Sequence, residues 1–185
     1  MSLISISKLP LTAEQGWSKL ATSHPGLLKV FALLVLPLSL LPPAMLYFAG
    51  THYPEMFLNR VGVSAWGDFA VIFFLAEMGT FLAMGWLIKQ VAEAKALSID
   101  YHDAYLLAAI APVPLCLSSL GLLFPNLAFN AVLSIAAMAV SCGLIYHGVE
   151  GLCRTREGVT AAGIVQVVIG AGLVGWALLL LIVIL

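Results

Sequence analysis

The chain has 185 residues, of which 62% are hydrophobic and 9% are charged, and its formal net charge at pH 7 is −1. Its mean hydropathy is +1.08, and a water-soluble domain needs more charge than this to cover its surface. The composition therefore excludes a soluble globular protein and indicates an integral membrane protein. No basic stripe suggests nucleic acid as a partner.

Five apolar runs in the sequence are long enough to cross a bilayer. A hydrocarbon layer of about 30 Å takes roughly 20 helical residues. Because little chain remains between the runs, the sequence predicts one membrane domain over residues 1–185, with a tail at 1–26. The predicted fold class is all-α, a bundle of five transmembrane helices. The spans are expected at about 27–50, 68–88, 104–124, 127–149 and 159–185.

The distribution of basic residues predicts the orientation of the chain. Cationic loops are retained on the cytoplasmic side, and the loops on one side carry every Lys and Arg except Arg60. That side includes the N-terminal tail, so the N-terminus is expected in the cytoplasm and, after five crossings, the C-terminus outside. The first apolar run lacks a clear small-residue cleavage site, which indicates a retained span instead of a signal peptide.

Before the first span, residues 11–20 (LTAEQGWSKL) predict a short helix. Thr12 and Gln15 have the spacing of a capping box. Trp17 and Leu20 would share an apolar face, so we expect this helix to lie in the cytoplasmic interface with Trp17 as its anchor. A dedicated partner-binding helix is the alternative interpretation.

Two connections are predicted from local residue patterns. Asp100 or Ser98 can cap the N-terminus of the third span. Little more than residues 124–126 (FPN) separates the third and fourth spans, so these are expected to form a tight antiparallel hairpin.

One acidic residue, Glu77, lies near the middle of the second apolar run. The charged form is costly at that depth, so we expect a neutral acid that needs a hydrogen-bond acceptor. Proline removes the amide donor to the carbonyl four residues earlier, so prolines in the first and third spans would free carbonyls near the same depth. The carboxyl either fixes helix packing or belongs to a site for a proton, an ion or a lipid headgroup. The candidate mid-membrane polar site comprises Glu77, Thr80, Pro37, Pro112 and Pro114.

A second polar cluster is predicted at the cytoplasmic end of the fourth span. His147 and Glu150 share a helix face, where they can pair with each other or with Arg154 and Arg156. Nearby cysteines do not complete any common metal motif, so neither a metal nor another cofactor is expected. The sequence contains no nucleophile elbow, Walker loop or paired catalytic carboxylates, and an enzyme is not expected.

Three pieces of the sequence carry a family resemblance: GWSKL at 16–20, YHDAYLLAAIAP at 101–112 and YHGVEG at 146–151. With the five-span layout, they resemble the Yip family of small membrane proteins, named for interaction with Ypt/Rab GTPases, in its bacterial form. The resemblance implies a non-enzymatic protein of the bacterial inner membrane. Eukaryotic members are associated with vesicle trafficking and membrane shaping.

We therefore expect a structural or adaptor protein that organises the membrane through helix packing and cytoplasmic loops. Its expected partners are membrane lipids and other membrane proteins or further copies of itself. The chain lacks the long acidic N-terminal region of the eukaryotic relatives, which weakens the expectation of GTPase binding. The alternative is a small transporter, or an ion- or lipid-binding protein, with a mid-membrane site around Glu77 and the kink at Pro112 and Pro114.

Overall fold

The computed structural model describes Gly16, Trp17, Leu20 and residues 25–53, 65–153 and 158–184. Five long helices account for most of this part of the chain, in which no strand occurs. Gly16, Trp17 and Leu20 are also helical. The long helices are α1 (Leu27–His52), α2 (Ala65–Ala94), α3 (Tyr101–Leu123), α4 (Leu127–Cys153) and α5 (Gly158–Ile184).

Four of these helices, α1 to α4, are long and apolar enough to cross a membrane, and α5 contains a further apolar stretch, Ala161–Val174. The predicted all-α membrane fold is thereby confirmed. The helices overlap the predicted runs, but α3 begins three residues before 104 and α4 ends four residues after 149. The largest difference is in α2, which begins three residues before 68 and ends six residues after 88. At its C-terminal end, Lys89 pairs with Glu93 at 3.1 Å. Such a pair stabilises the helix beyond the apolar run, in a polar stretch that hydropathy does not identify as part of the span.

The helices pack around α3. It contacts α1, α2 and α4, and α5 packs against α2 and α4. One end of the bundle contains the starts of α1, α3 and α5 and the C-terminal ends of α2 and α4. Lys29, Lys89 and Lys95 belong to these segments, and we call this the basic end. The other end, where α3 turns into α4, is called the hairpin end.

Prolines distort two helices. In α3, the α-helix Tyr101–Ile110 is followed by a turn and then by Val113–Ser118 and a 3-10 segment. Pro112 and Pro114 have no amide hydrogen to continue the helical ladder, which explains the break. The first part of α3 packs mainly on α2, and the later part packs on α1 and α4. The helix therefore changes neighbours at the break.

In α1, a π-helical turn at Phe31–Val35 precedes Pro37. In a regular α-helix the ring of Pro37 would clash with the carbonyl of Leu33, and the wider turn relieves this clash. Pro42 and Pro43 lie inside the continuing α-helix.

The buried core is concentrated at the basic end. In α3, every residue from Ala104 to Ala111 except Tyr105 is buried. Apolar residues of the other helices complete this core, among them Leu34, Ile88, Leu144, Val149 and Ile164. Towards the hairpin end, α4 exposes large apolar side chains, including Leu127 at 77% and Ile135 at 70%. In a membrane protein such side chains face lipid or another helix.

The predicted cap and hairpin are confirmed. Asp100 caps α3 by accepting a hydrogen bond from the Tyr101 amide at 2.9 Å. At the hairpin, Asn126 Oδ1 accepts from the Phe129 amide at 3.0 Å, and Asn130 Nδ2 donates to the Phe124 carbonyl at 3.0 Å. These bonds close the connection between α3 and α4 within three residues, Phe124 to Asn126.

Candidate functional site

The indole of Trp17 packs on two glycines of α4 at the basic end. Trp17 is 0% exposed and Leu20 is 4% exposed. A Cβ added at Gly148 would lie 3.1 Å from Trp17 Cζ2, and one added at Gly151 would lie 2.7 Å from Trp17 Cβ. Any side chain larger than hydrogen at these positions would enter the space that the indole occupies.

The environment of Trp17 differs from the predicted one. The sequence predicts an anchor in the cytoplasmic membrane interface, whereas in the structure protein covers the whole side chain. The indole Nε1 is buried without a hydrogen-bond partner among the described residues, so apolar contact holds the ring in place. In the sequence, only Gly148 and Gly151 indicate that a side chain could pack on α4 here. Periodicity shows that they leave a depression on α4, but not which segment fills it.

His102 connects the segment before α1 to the start of α3. Its Nε2 lies 2.8 Å from the carbonyl oxygen of Pro25, and its Nδ1 lies 3.2 Å from Asp103 Oδ1. Because a carbonyl oxygen only accepts, Nε2 is the donor in the bond to Pro25. The sequence contains no signal for this bond, because its two residues are far apart along the chain.

Leu107 completes the contact between the three pieces of sequence. A Cβ at Gly148 would overlap the Leu107 side chain as well as approach Trp17. GWSKL, YHDAYLLAAIAP and YHGVEG therefore meet at one place, the basic end of the bundle. We call Trp17, His102, Leu107, Gly148 and Gly151 the docking cluster.

The predicted cytoplasmic cluster lies at the surface of the same end. His147 Nδ1 is 3.3 Å from Glu150 Oε2, with side chains 44% and 26% exposed. The ring of Tyr146 stands edge-on to His147, with centroids 5.3 Å apart. Arg154 and Arg156 lie outside the described residues, so their part in this cluster stays a prediction.

Glu77 is half-buried in α2, and its Oε2 is fully buried without a hydrogen-bond partner among the described residues. This oxygen therefore does not form the predicted hydrogen bond to a carbonyl freed by proline. Pro114 is half-buried, whereas Pro37, Thr80 and Pro112 are exposed on the outside of the bundle.

The contact between α2 and α3 fixes the depth of Glu77. The Tyr105 ring packs directly on Gly85, and its hydroxyl donates to the Leu82 carbonyl at 3.2 Å. Glu77 lies eight residues before Gly85 along α2, and Val113 lies eight residues after Tyr105 along α3. At 1.5 Å per residue both steps cover about 12 Å. Since the two helices run in opposite directions, Glu77 lies level with the break in α3.

The position of Cys116 agrees with this depth. It lies on α3 in the turn after the break, where its amide donates to the Pro112 carbonyl at 2.9 Å. The electrostatic effect of Glu77 reaches this thiol, which places the two side chains in the same region of the bundle. Glu77, Cys116 and the break in α3 therefore lie in one region of the bundle. The sequence did not single out Cys116, because its position relative to Glu77 depends on the register of the two helices.

A groove of about 600 Å³ lies between α4 and α5. Its lining is mostly apolar, with Tyr146, Cys142 and Gln166 as the residues that carry polar atoms. Glu77 does not line it. The groove has the character of a lipid-facing surface and is separate from the carboxyl site.

A family model described as the Yip1 domain matches residues 10–179. The chain belongs to the Yip family. The match includes the whole docking cluster, Glu77 and Cys116, and it confirms the family resemblance. No curated protein and no solved structure matches the sequence. For this Yip-family protein, function must therefore be argued from its own geometry.

Proposed function

We propose that the protein is a non-enzymatic adaptor or membrane-organising protein of the Yip type in a bacterial inner membrane. In this proposal all five long helices cross the membrane, with the N-terminus in the cytoplasm and the C-terminus outside. The basic end then faces the cytoplasm. Its partners are membrane lipids and other membrane proteins or further copies of the chain.

The burial of Trp17 against α4 is the observation that carries this proposal. It joins the N-terminal segment to the core, so that one membrane face of the bundle has a fixed shape. His147 and Glu150 are the chain neighbours of Gly148 and Gly151, and their partly exposed side chains present polar groups in a defined place. A preorganised surface loses little conformational freedom on binding, which favours association with a partner.

Photo-crosslinking in native membranes tests this proposal. A photoreactive amino acid at position 147 should yield an adduct with a defined protein or with a second copy of the chain, identified by mass spectrometry. The same amino acid at position 135 of α4 is the matched control, because Ile135 is exposed towards the hairpin end. Position 135 should yield lipid adducts only. Identical adducts at both positions, or no protein adduct at 147, would exclude the adaptor function.

A second candidate function is favoured by the carboxyl of Glu77. A buried carboxyl oxygen without a partner is unusual in a folded protein, and ionisable groups at this depth often mark transport or binding sites. A small transporter, or an ion- or lipid-binding protein, would use the region around Glu77 and the break in α3. If the carboxyl only fixes packing, Glu77→Gln should be nearly silent, because an amide also donates a hydrogen bond.

A further inference from the structure

We infer that Glu77 and the broken backbone of α3 form a binding site for a monovalent cation, either a proton or Na⁺, inside the bundle. This inference names the ligand of the second candidate function and rests on it. It does not depend on the adaptor function of the basic end.

The first argument is the missing partner of the carboxyl. Glu77 Oε2 has no hydrogen-bond donor or acceptor among the described residues, although it is shielded from solvent. Buried polar atoms in folded proteins nearly always have a partner. A proton on the carboxylate, or a cation beside it, removes the charge that is costly to hold in the membrane.

The second argument comes from the carbonyl groups next to the break. In a regular helix the carbonyls of Ala108 and Ile110 would accept hydrogen bonds from the amides four residues later. Those residues are Pro112 and Pro114, which have no amide hydrogen to donate. Ala108 is 5% exposed and Ile110 is 1% exposed, so solvent has little access to them. Carbonyls of an interrupted helix, combined with one carboxylate, are the oxygen ligands that membrane proteins use for Na⁺ and protons.

The third argument is position. The contacts of Tyr105 place Glu77 level with this break, and Cys116 lies on α3 in the turn after the break. Ile110 and Ala108 lie three and five residues before Val113 along α3, or about 5 and 8 Å at 1.5 Å per residue. The two parts of the proposed ligand set therefore lie within about one and a half helical turns of the same depth, near the middle of α2 and α3. The break in α3 and the acid of α2 are far apart in the sequence, and the packing of the two helices places them near the same depth.

The charge of the site selects the ligand class. Glu77 supplies a single negative charge, which one proton or one Na⁺ balances, whereas a divalent cation would remain under-compensated. The Cys116 thiol is a soft group, and soft metals require further sulfur or imidazole ligands. Within the described residues, no group of three His, Cys, Asp or Glu side chains could hold a metal ion.

Thermal unfolding of the purified full chain in detergent is the first test. The midpoint is measured in NaCl and in choline chloride at equal ionic strength, across a range of pH. A ligand that binds only the folded state raises the midpoint. If Na⁺ is the ligand, NaCl should raise the midpoint by several degrees in the wild type. If a proton is the ligand, the midpoint should vary with pH in choline chloride without a sodium effect. Glu77→Gln should abolish the sodium effect, or should reduce the pH dependence to the part that the other titrating groups of the chain contribute.

Glu93→Gln is the matched control, because Glu93 is an exposed glutamate near the end of the same helix. It should keep the wild-type dependence. Direct binding of ²²Na⁺ to the wild type, with competition by protons, is a second measurement that needs no variant. The inference is overturned if the wild type shows neither saturable ²²Na⁺ binding nor a pH or sodium effect that Glu77→Gln removes.

Flux into proteoliposomes separates this inference from the function on which it rests. Saturable binding without net movement of Na⁺ or protons would preserve the site and exclude a transporter of these ions. Flux that Glu77→Gln leaves intact would instead preserve transport and exclude Glu77 as the binding group. Restoring the amide donors with Pro112→Ala and Pro114→Ala should weaken binding at least tenfold, since the carbonyls would return to the helical ladder.

Discussion

At the scale of single residues, the contact between Trp17 and α4 depends on the absence of a side chain at Gly148. Alanine there would place a methyl group against Leu107 and 3.1 Å from the Trp17 ring. Leu107 and Trp17 are both fully buried, so neither can yield without moving its neighbours. Overpacking of this kind costs about 1–3 kcal/mol. We expect Gly148→Ala to lower the free energy of unfolding by that amount, measured by denaturation in detergent.

Gly143→Ala on the same helix is the control. A Cβ at Gly143 would meet nothing within 4 Å. Because alanine is a better helix former than glycine, stability should be unchanged or rise by up to about 1 kcal/mol. Equal losses in the two variants would show that the cost at Gly148 does not arise from Trp17 and Leu107.

The end of α2 provides a second test at this scale. Ala96 has a φ of 57°, in the left-handed region. The Leu97 amide donates to the Ala92 carbonyl at 3.0 Å, and the Ala96 amide donates to the Glu93 carbonyl at 2.9 Å. This is the Schellman motif, in which glycine normally occupies the position of Ala96.

Ala96→Gly should therefore stabilise the protein. The left-handed conformation costs a residue with a Cβ about 1–2 kcal/mol, and glycine avoids this cost. Glycine also gives the unfolded chain more conformational freedom, which offsets part of the gain. We expect a gain of up to about 1 kcal/mol in the free energy of unfolding. Ala94→Gly, in the last turn of α2, should instead cost about 0.5–1 kcal/mol. A loss of stability in Ala96→Gly would contradict the motif.

At the scale of secondary structure, Trp17 is the largest side chain by which the described part of the N-terminal segment packs on the bundle, and Leu20 is buried with it. Trp17→Ala would leave an empty volume between the segment and α4, and truncation of a buried aromatic residue costs about 3–5 kcal/mol. We expect a matching fall in stability and faster proteolysis of the tail. Trp86→Ala is the control, because Trp86 is 53% exposed. Proteolysis of the tail at the wild-type rate in Trp17→Ala would show that other contacts hold the segment.

The helices themselves could be predicted from the sequence, whereas their contacts could not. Hydropathy and prolines locate the spans and the break in α3, because both act through the local chain. The choice of packed face depends on the partner helix. Gly79 and Ala83 have the spacing of a close helix contact, yet both are exposed. Gly85, on the same helix, receives the Tyr105 ring.

The same limit applies to the candidate site. The sequence identifies Glu77 and Pro114, since an acid and a proline break the hydrocarbon pattern. It places Pro37 and Thr80 with them from depth alone, but depth does not determine which way a residue faces, and both are exposed. Cys116 joins the site through the register between α2 and α3, which no periodicity within one helix reveals.

At the scale of the whole molecule, the orientation is open to direct measurement. In a variant without native cysteines, Ser98→Cys probes the basic end and Pro125→Cys probes the hairpin end, both at exposed positions. A membrane-impermeant maleimide should label Pro125→Cys in intact cells, because cationic loops are retained inside. Ser98→Cys should react only after lysis.

The labelling pattern also tests whether α3 crosses the membrane. The opposite pattern would reverse the orientation while leaving α3 as a crossing helix. Labelling of both positions from outside would contradict the crossing itself. Either result would move the basic end away from the cytoplasm and remove the setting in which the adaptor function was proposed.

The uneven distribution of the core affects how the bilayer acts on the bundle. At the basic end, α3 and α4 are held by side chains of the same chain, among them Leu107 and Val149. Around the hairpin, α3 and α4 instead expose Phe124, Leu127 and Ile135. In a membrane, lipid acyl chains would surround this half of the two helices. Changes in acyl-chain length or saturation will therefore act first on the hairpin. We therefore expect the hairpin half of α3 and α4 to respond to lipid composition more strongly than the packed half at the basic end.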